Sequence, residues 1–313
     1  MRGAGSTMRG SIPDAAIAEW RREGAVVVPD AFTHDELIPV VADYERAHPK
    51  PDARDAAAHA DLGGRIGRFD RQQFKNFLHY PFDLSLATNL LPLHPVLIDC
   101  AKRMLSTDDV FMYQCHTWAK FTGETDYTQE FHFDFGNHTL LVPGDEAHFG
   151  SVNYVIYLTD VTKGRGALAF APRSQSSRLA DPDVQFPSPA MQRELLAMER
   201  TAEGPAGSLL IYDTNVFHRG TNLTEPGAHR YTMTVSYRAQ NYTAIGGNEW
   251  ARNGQNAPWK SILPATSVEQ ASALGIPRPG HPYWTERTLR RVKQRYPDWD
   301  LEAYRHALSH KRV

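Results

Sequence analysis

The chain has 313 residues, enough to bury a large hydrophobic core within one elaborated domain. Its 34 Lys and Arg residues against 36 Asp and Glu residues give a formal charge of -2, so the composition indicates no general attraction to nucleic acid or to an anionic membrane. Two cysteines, Cys100 and Cys115, are too few for a disulfide framework and have no metal-type spacing.

The first residues carry no recognisable targeting signal. Segment 1–11 is small, polar and glycine-rich, and we expect it to be disordered. It lacks the apolar centre of a signal peptide, and the chain has no run of about 18 apolar residues that would cross a membrane. We therefore expect a cytoplasmic protein that does not enter a membrane.

A helix, a short strand and a second helix are predicted at the start of the folded region. Ile17 and Trp20 lie on one side of the first helix, the strand is Ala25–Val28, and Thr33 caps the second helix. Short helices are predicted around 86–89 and 96–105, each near a proline that marks its boundary.

From residue 110 the sequence changes to short runs of β-branched and aromatic residues. The first run is VFMYQCHTWAKF and the last is RYTMTVSYRA, and turn clusters such as VPGDEAHFG and TKGRG separate the runs. This pattern is typical of an all-β sandwich or jelly roll. We predict a mainly β fold with flanking helices, built on a double-stranded β-helix (jelly roll, cupin-like) core.

The chain is interpreted as a single domain over residues 12–313. The helical run MQRELLAMER interrupts the strands, so residues near 179–204 are predicted to form an insertion or lid. From about residue 246 the sequence turns to loops and helices, notably TERTLRRVKQRY and DLEAYRHALSH. These predict a C-terminal helical extension packed outside the β core.

The stretch QEFHFDFGN places His132 and Asp134 two residues apart in an apolar, aromatic run. On an extended strand these two side chains point to the same face. Burying an unpaired carboxylate there is costly unless a cation compensates it. A second strand-like run downstream carries His218. Two histidines and one carboxylate form the facial arrangement that non-haem Fe(II) oxygenases use.

Arg230 and Thr232 lie in the strand-like run RYTMTVSYR that follows His218. Strand alternation turns both side chains to one face. The planar fork of an arginine suits a bidentate carboxylate partner, and the oxygen chemistry of this type of iron commonly needs a 2-oxo acid as electron donor. We therefore predict that Arg230 binds the carboxylate of such a co-substrate and that Thr232 adds a hydroxyl to it.

Several motifs, in their order along the chain, resemble the phytanoyl-CoA dioxygenase family of Fe(II)- and 2-oxoglutarate-dependent oxygenases. The text EWRREGAVVVPDAFTHDELI resembles the family's opening, and HFD resembles its H-x-D pair. The stretch GSLLIYDTNVFHRGTNLTEPGAHRYTMTVSY resembles the segment with the distal histidine and the arginine. YLTDVTKGRGALAFAPRSQ also resembles a family stretch, but it has Pro-Arg-Ser-Gln at 172–175 where the family often has Pro-Gly-Ser-His. The resemblance covers roughly residues 17–238.

By position, the resemblance implies that His132, Asp134 and His218 are the catalytic iron ligands and that Arg230 grips the far carboxylate of 2-oxoglutarate. It implies that Fe(II), 2-oxoglutarate and O2 convert a small-molecule substrate to a hydroxylated product, with release of succinate and CO2. The retained carboxylate disfavours halogenation, whereas desaturation, epoxidation and ring formation stay open. Lys120, on the preceding strand, is a candidate for the second contact to 2-oxoglutarate.

Four residues near the H-x-D pair are candidates for the substrate pocket: Tyr113, Trp118, Phe135 and His138. Trp118 is also a candidate for the second 2-oxoglutarate contact. Because the chain has no cationic cluster, we expect neither a coenzyme A substrate nor a nucleic acid. A small polar or ring-containing metabolite is the expected substrate.

Two other classes of function use the same residues. A Zn(II)-dependent hydrolase or isomerase would bind its metal with His132, Asp134 and His218 but would have no use for an arginine at position 230. A non-catalytic β-sandwich binding protein would use the H-x-D pair only for hydrogen bonds.

Overall fold

The computed structural model describes residues 11–50, 65–67, 74, 76–124, 127–134, 138, 150–179, 184–240, 242 and 258–310. Of the segment predicted to be disordered, only Ser11 is among them, and the predicted start of the C-terminal extension near 246 also lies outside them.

The helices and strands of the described residues follow the predicted order of an α/β opening, a β region and C-terminal helices. The helices are α1 (Asp14–Glu23), α2 (His34–Ala47), α3 (Leu86–Leu90), α4 (Pro95–Leu105), α5 (Arg173–Ser176), α6 (Pro189–Ala197), α7 (Trp259–Ala265), α8 (Val268–Ala273), α9 (Glu286–Arg295) and α10 (Glu302–Ser309). Short 3-10 turns span Leu91–Leu93 and Ser177–Leu179. The strands are β1 (Ala25–Val28), β2 (Arg65–Gly67), β3 (Phe77–His79), β4 (Val110–Phe121), β5 (Tyr127–Gln129), β6 (Ser151–Tyr157), β7 (Ala169–Phe170), β8 (Arg200–Thr201), β9 (Leu209–Tyr212), β10 (His218–Arg219) and β11 (His229–Ala239).

The helix at residue 34 begins where the sequence predicts. The Thr33 hydroxyl accepts a hydrogen bond from the backbone N–H of Glu36, and the Glu36 carboxylate accepts one from the Thr33 N–H. This reciprocal capping box satisfies two N–H groups that the first helical turn leaves without partners.

The large sheet has six antiparallel strands in the order β1-β9-β6-β11-β4-β3. Its centre is the pair β4 and β11, which stay in register from His229 opposite Phe121 to Ala239 opposite Val110, with one irregularity between Ser236 and Tyr237. A smaller antiparallel sheet has the order β10-β7-β8. The short parallel pair β2 and β5 stands apart from both.

Alternation along β11 gives the large sheet two different faces. On one face the side chains are apolar and fully buried against helices α2 and α4: Tyr231, Met233, Val235 and Tyr237. Burying a side chain of this size contributes about 1.5–3 kcal/mol. On the other face the side chains are polar: Arg230, Thr232, Thr234 and Ser236. The apolar face therefore packs the sheet against the helices of the hydrophobic core, and the polar face can carry a functional site.

A second apolar cluster joins the two sheets at one end of the polar face. It contains Val155 and Leu210 from the large sheet and Phe170 from the small one, with Ala202 and Val216 from the connecting segments. Two antiparallel sheets packed in this way form the predicted jelly roll.

The C-terminal helices share the main hydrophobic core with the large sheet. Trp259, Leu289 and Trp299 are buried members of the same cluster as the helix-facing residues of β11. The interpretation of residues 12–313 as a single domain stays a prediction.

Candidate active site

The segment that carries His132 and Asp134 is extended but is not a continuous strand. β5 ends at Gln129, and His132 then makes an isolated antiparallel bridge with His218, with N···O distances of 3.0 and 3.1 Å. The Asp134 N–H donates to the carbonyl of Thr214 at 3.0 Å. The prediction of a strand through the motif is therefore wrong in detail, because local bridges to residues 214 and 218 replace a regular ladder.

Two phenylalanines alternate with His132 and Asp134 and pack this segment against an apolar cluster. Phe131 and Phe133 are buried with Phe217 and Leu195 in a separate apolar cluster. The rings of Phe133 and Phe217 stack with their centroids 4.1 Å apart. Because side chains alternate, burying the phenylalanines on one side turns His132 and Asp134 to the other side.

Helix α6, in the predicted insertion, supports this segment. The Gln192 side-chain amide bonds the Phe131 backbone twice, accepting from its N–H at 2.9 Å and donating to its carbonyl at 2.8 Å. Leu195 of the same helix belongs to the apolar cluster of Phe131. The interpretation of residues near 179–204 as an insertion or lid stays a prediction; the described part of this segment packs against the H-x-D segment.

His132, Asp134 and His218 converge on one point. One donor atom of each lies within 4.8 Å of the others, and all three residues are buried. His132 Nε2 lies 3.4 Å from Asp134 Oδ1, and His218 Nε2 lies 3.1 Å from Asp134 Oδ2. Three donor atoms at this spacing are close enough to bind one metal ion together.

The histidine rings are held so that Nε2 faces the carboxylate. His132 Nδ1 lies 2.8 Å from the Glu130 carbonyl and His218 Nδ1 lies 3.0 Å from the Val216 carbonyl. Since a carbonyl only accepts, each Nδ1 carries a proton, and Nε2 of a neutral ring is left with its lone pair. A neutral Nε2 would repel the carboxylate oxygens, so each close contact requires either a proton on Nε2 or a metal ion between the atoms.

The electrostatics of the cluster agree with a cation site. Burial acts to raise the pKa of the Asp134 carboxyl, but the charge of His218 and hydrogen bonds from the neighbouring histidines hold it well below its usual value. Burial acts to lower the pKa of His218, and Asp134 outweighs it and raises that pKa. The buried carboxylate thus draws positive charge, which a divalent metal supplies. Two imidazoles and one carboxylate are a donor set that suits Fe(II).

Tyr212 is a further residue at this centre, and the sequence gives no sign of it. It ends β9, is buried, and its hydroxyl donates to Asp134 Oδ2 at 3.1 Å. In the sequence it closes the apolar run GSLLIY and has the pattern of a core residue. Its hydrogen bond fixes one carboxylate oxygen and so orients the other, as outer-shell partners of metal ligands do.

Replacing Tyr212 with phenylalanine is expected to weaken Fe(II) binding about tenfold, the lower end of the effect of losing an outer-shell partner. The control is Tyr157→Phe, because that tyrosine lies in the same apolar cluster and donates instead to the Ala202 carbonyl at 2.6 Å. Anaerobic Fe(II) titration of both variants measures the difference. Equal affinities in the two variants would remove Tyr212 from the centre.

Residue 173, where the sequence departs from the family pattern, supports the loop between β9 and β10. The Arg173 guanidinium donates to Asp213 Oδ2 and to Asn215 Oδ1, both at 2.6 Å. These two residues flank Thr214, whose carbonyl holds the Asp134 N–H. Arg173 therefore stabilises the loop that holds Asp134, but it is not one of the three residues that could bind a metal.

Arg230 lies on the polar face of β11 and is fully buried. Its Nη1 donates to the Gly166 carbonyl, its guanidinium lies 5.0 Å from the centre of the Trp118 ring, and its Nε has no hydrogen-bond partner among the described residues. Burial lowers the pKa of Arg230 to about 10. A buried guanidinium with an unpaired N–H is costly. It therefore fits a carboxylate ligand.

The other three predicted 2-oxoglutarate contacts are Thr232 and Lys120, which are buried, and Trp118, which is half-buried, and their roles stay predictions. Across the β4–β11 pair, Lys120 is opposite Arg230 and Trp118 is opposite Thr232. The Thr232 hydroxyl donates to the Trp118 carbonyl at 3.4 Å, and Lys120 Nζ donates to the Thr221 carbonyl at 3.2 Å.

A cavity of about 520 Å³ connects the histidine–aspartate cluster with Arg230. Its described lining residues are Phe74, Phe77, His79, Gln114, His116, Trp118, Gln129, His132, Asp134, His138, Leu168, Tyr212, His218, Gly220, Arg230, Thr234 and Ser236. A larger depression between α9 and α10 is lined by charged side chains such as Glu286 and Arg290 and contains none of these donors.

The four predicted pocket residues differ in their position relative to this cavity. Trp118 and His138 line it. The register leaves Tyr113 as the extra residue of β4 between the pairs at 112 and 114, and its hydroxyl lies 2.5 Å from His138 Nδ1. Phe135 lies outside the described residues. Phe77 and His116, which the sequence did not single out, also line the cavity.

Comparison with known proteins identifies the family. The family model "Phytanoyl-CoA dioxygenase (PhyH)" matches residues 20–229, a range that includes the three converging residues and ends one residue before Arg230. A search of curated protein sequences finds no match. None of the described helices is long and apolar enough to cross a membrane.

Solved structures with low sequence identity share the fold. The non-heme alpha ketoglutarate dependent carbocyclase SnoK from nogalamycin biosynthesis is 18% identical with a TM-score of 0.57, covering 82% of this chain and 95% of that one. EctD from S. alaskensis, in complex with 2-oxoglutarate and 5-hydroxyectoine, is 19% identical with a TM-score of 0.54, covering 76% and 82%. The epimerase SnoN, in complex with Fe3+, alpha ketoglutarate and nogalamycin RO, is 17% identical with a TM-score of 0.53, covering 72% and 83%.

The predicted jelly-roll fold is confirmed by these neighbours. The predicted family is confirmed by the match across two thirds of the chain. The chain belongs to the phytanoyl-CoA dioxygenase (PhyH) family, and it is accordingly an Fe(II)- and 2-oxoglutarate-dependent oxygenase.

Proposed function

We propose that His132, Asp134 and His218 bind Fe(II), that Arg230 binds the far carboxylate of 2-oxoglutarate, and that the enzyme hydroxylates a small molecule. The observation that carries this proposal is a single cavity with two distinct groups of residues in its wall. At one place the Nε2 atoms of His132 and His218 converge with the carboxylate of Asp134, and at another lies the buried guanidinium of Arg230, whose Nε–H has no partner among the described residues. A metal cation would balance the carboxylate of Asp134. One carboxylate of a dicarboxylate co-substrate would balance the guanidinium of Arg230.

Bound Fe(II) supplies the activation of O2, coupled to conversion of 2-oxoglutarate to succinate and CO2 with transfer of one oxygen atom to the substrate. The residues of the chain orient the reactants. Arg230 fixes one end of the co-substrate, Tyr212 fixes the carboxylate of Asp134, and the apolar cluster of Phe131 and Phe133 holds the ligand-bearing segment. All three proposed ligands are buried, and a substrate that fills the cavity would exclude water from the centre.

A small molecule is the proposed substrate because the cavity is of a size that holds one. The complex of SnoN contains nogalamycin RO and that of EctD contains 5-hydroxyectoine, so this fold accommodates small organic molecules. Hydroxylation is proposed over halogenation since Asp134 keeps its carboxylate at the centre.

The test is succinate release from 2-oxoglutarate by the full chain with Fe(II) and O2, across a panel of metabolites. We expect at least one metabolite to raise succinate release well above the rate without substrate, and its product to gain one oxygen atom by mass spectrometry. If the product has instead lost two hydrogen atoms, the reaction is desaturation or ring formation and the assignment of hydroxylation is wrong. Turnover of a substrate without O2 and 2-oxoglutarate would contradict the proposal and favour a metal-dependent hydrolase.

A further inference from the structure

One wall of the cavity is built from aromatic and imidazole rings at the edge of the large sheet. Strand β3 pairs with β4 so that Phe77 is opposite Trp118 and His79 is opposite His116. Directly opposite residues point to the same face of a sheet, and all four line the cavity. The rings of Phe77 and His116 stack with centroids 4.7 Å apart and planes inclined by 21°. We call these four residues the ring wall.

His116 has an unsatisfied polar atom in this wall. The residue is only 9% exposed, and its Nδ1 has no hydrogen-bond partner among the described residues. Burial, with the nearby His79 and His138, lowers the pKa of His116 to about 3. The ring is therefore neutral at physiological pH. Leaving a buried polar atom without a partner is costly, and native proteins rarely do so. His116 also lines the cavity, so a ligand group there can be a partner for its imidazole.

The charges of the cavity limit what that ligand is. Apart from its histidines, the described lining has two charged side chains, Asp134 and Arg230, and the proposed function assigns them to the metal and to 2-oxoglutarate. The remaining polar groups near His116 are neutral: Gln114, Thr234 and Ser236. A second charged ligand would have no counter-charge among these residues, and burying it would be costly.

We propose that the ring wall is the substrate subsite, and that the substrate is an uncharged molecule with a flat ring whose hydroxyl or carbonyl group hydrogen-bonds to His116. Phe77 and Trp118 provide aromatic surfaces for such a ring, and His116 selects for the polar group on it. This inference rests on the proposed function, because it takes the metal and 2-oxoglutarate as occupants of the rest of the cavity.

The experiment is anaerobic calorimetric titration of the full chain loaded with Fe(II) and 2-oxoglutarate. Three probes separate the properties of the substrate: 2-naphthol has a flat neutral ring with a hydroxyl, 2-naphthoate has the same ring with a charge, and 2-decalol has a hydroxyl on a saturated ring. We expect 2-naphthol to bind at least about tenfold more tightly than either of the others. Equal or weaker binding of 2-naphthol overturns the proposal, and this comparison needs no variant.

The variant His116→Phe keeps a stacking ring and removes its nitrogens. Losing one net hydrogen bond should weaken 2-naphthol binding about fivefold. His229→Phe is the matched control, because His229 lies at the start of β11 and stacks on Phe121 outside the cavity. An unchanged 2-naphthol affinity in His116→Phe overturns the role of His116.

Titration of 2-oxoglutarate itself separates failure of this inference from failure of the proposed function. If the Fe(II)-loaded wild-type chain does not bind 2-oxoglutarate, the proposed function is wrong. If it binds 2-oxoglutarate but does not prefer 2-naphthol, only the substrate class is wrong. His116→Phe should bind 2-oxoglutarate as the wild type does, which also shows that the variant is folded.

Discussion

Replacing His218 with alanine is expected to abolish stoichiometric Fe(II) binding and all succinate formation. The change leaves Asp134 and His132 as the only protein donors from the cluster. Losing an outer-shell partner already costs 10–100-fold in metal affinity, so losing a ligand should cost more than about 100-fold. The measurement is anaerobic Fe(II) titration with metal analysis of the protein after desalting.

The matched control for this experiment is His229→Ala. His229 is also on a strand, but it stacks on Phe121 and is absent from the cavity lining. This variant should retain one Fe(II) per chain. Circular dichroism and thermal unfolding should show both variants folded, since His218 lies on a short strand of the small sheet and outside the main hydrophobic core. Retention of tight Fe(II) binding in a folded His218→Ala protein would remove this residue from the metal centre.

Replacing Arg230 with lysine is expected to weaken 2-oxoglutarate binding about 100-fold while leaving Fe(II) binding unchanged. A lysine keeps the charge but loses the planar fork that holds a carboxylate in two places. Hydrogen bonds to charged groups contribute about 1.5–3 kcal/mol each, and about 2.7 kcal/mol corresponds to 100-fold in affinity. The measurement is titration of the Fe(II)-loaded protein with 2-oxoglutarate in the absence of O2.

Arg238→Lys is the control for Arg230→Lys. Arg238 is on the same strand and also buried, but its guanidinium donates to backbone carbonyls, including that of Tyr242 at 3.0 Å, and lies over the Phe111 ring. This substitution should leave 2-oxoglutarate affinity within about twofold of the wild type, because no contact with the co-substrate is lost. The same loss in both variants would indicate a structural effect, and no loss in Arg230→Lys would reassign the carboxylate site.

The residues with strong chemical identity were predictable from the sequence. His218 lies more than 80 positions after His132 and Asp134 in the sequence. The apolar residues around all three nevertheless predicted buried extended segments, and in the structure these segments pair directly. Alternation along β11 predicted that Arg230 and Thr232 share a face, opposite the apolar residues of the core. A period of two residues is a local property, so the sequence alone carries it.

The residues that depend on pairing between distant strands were not predictable. Tyr212 reaches Asp134 because β9 lies beside β6 in the large sheet, and nothing in the run GSLLIY distinguishes it from a core tyrosine. His116 faces Phe77 because β3 adds to β4 at the edge of that sheet. The H-x-D segment departs from a regular strand because its partners are the loop carbonyl of Thr214 and a two-residue strand. Register between strands is set by the whole fold.

The central claim is that one cavity binds Fe(II) and 2-oxoglutarate together for oxidation by O2. The succinate assay tests it most directly when the wild-type chain is assayed with each of Fe(II), 2-oxoglutarate and O2 left out in turn. We predict succinate only when all three are present, and none from His218→Ala under the complete conditions. Succinate formation that persists without Fe(II), or in the His218→Ala protein, would contradict the account.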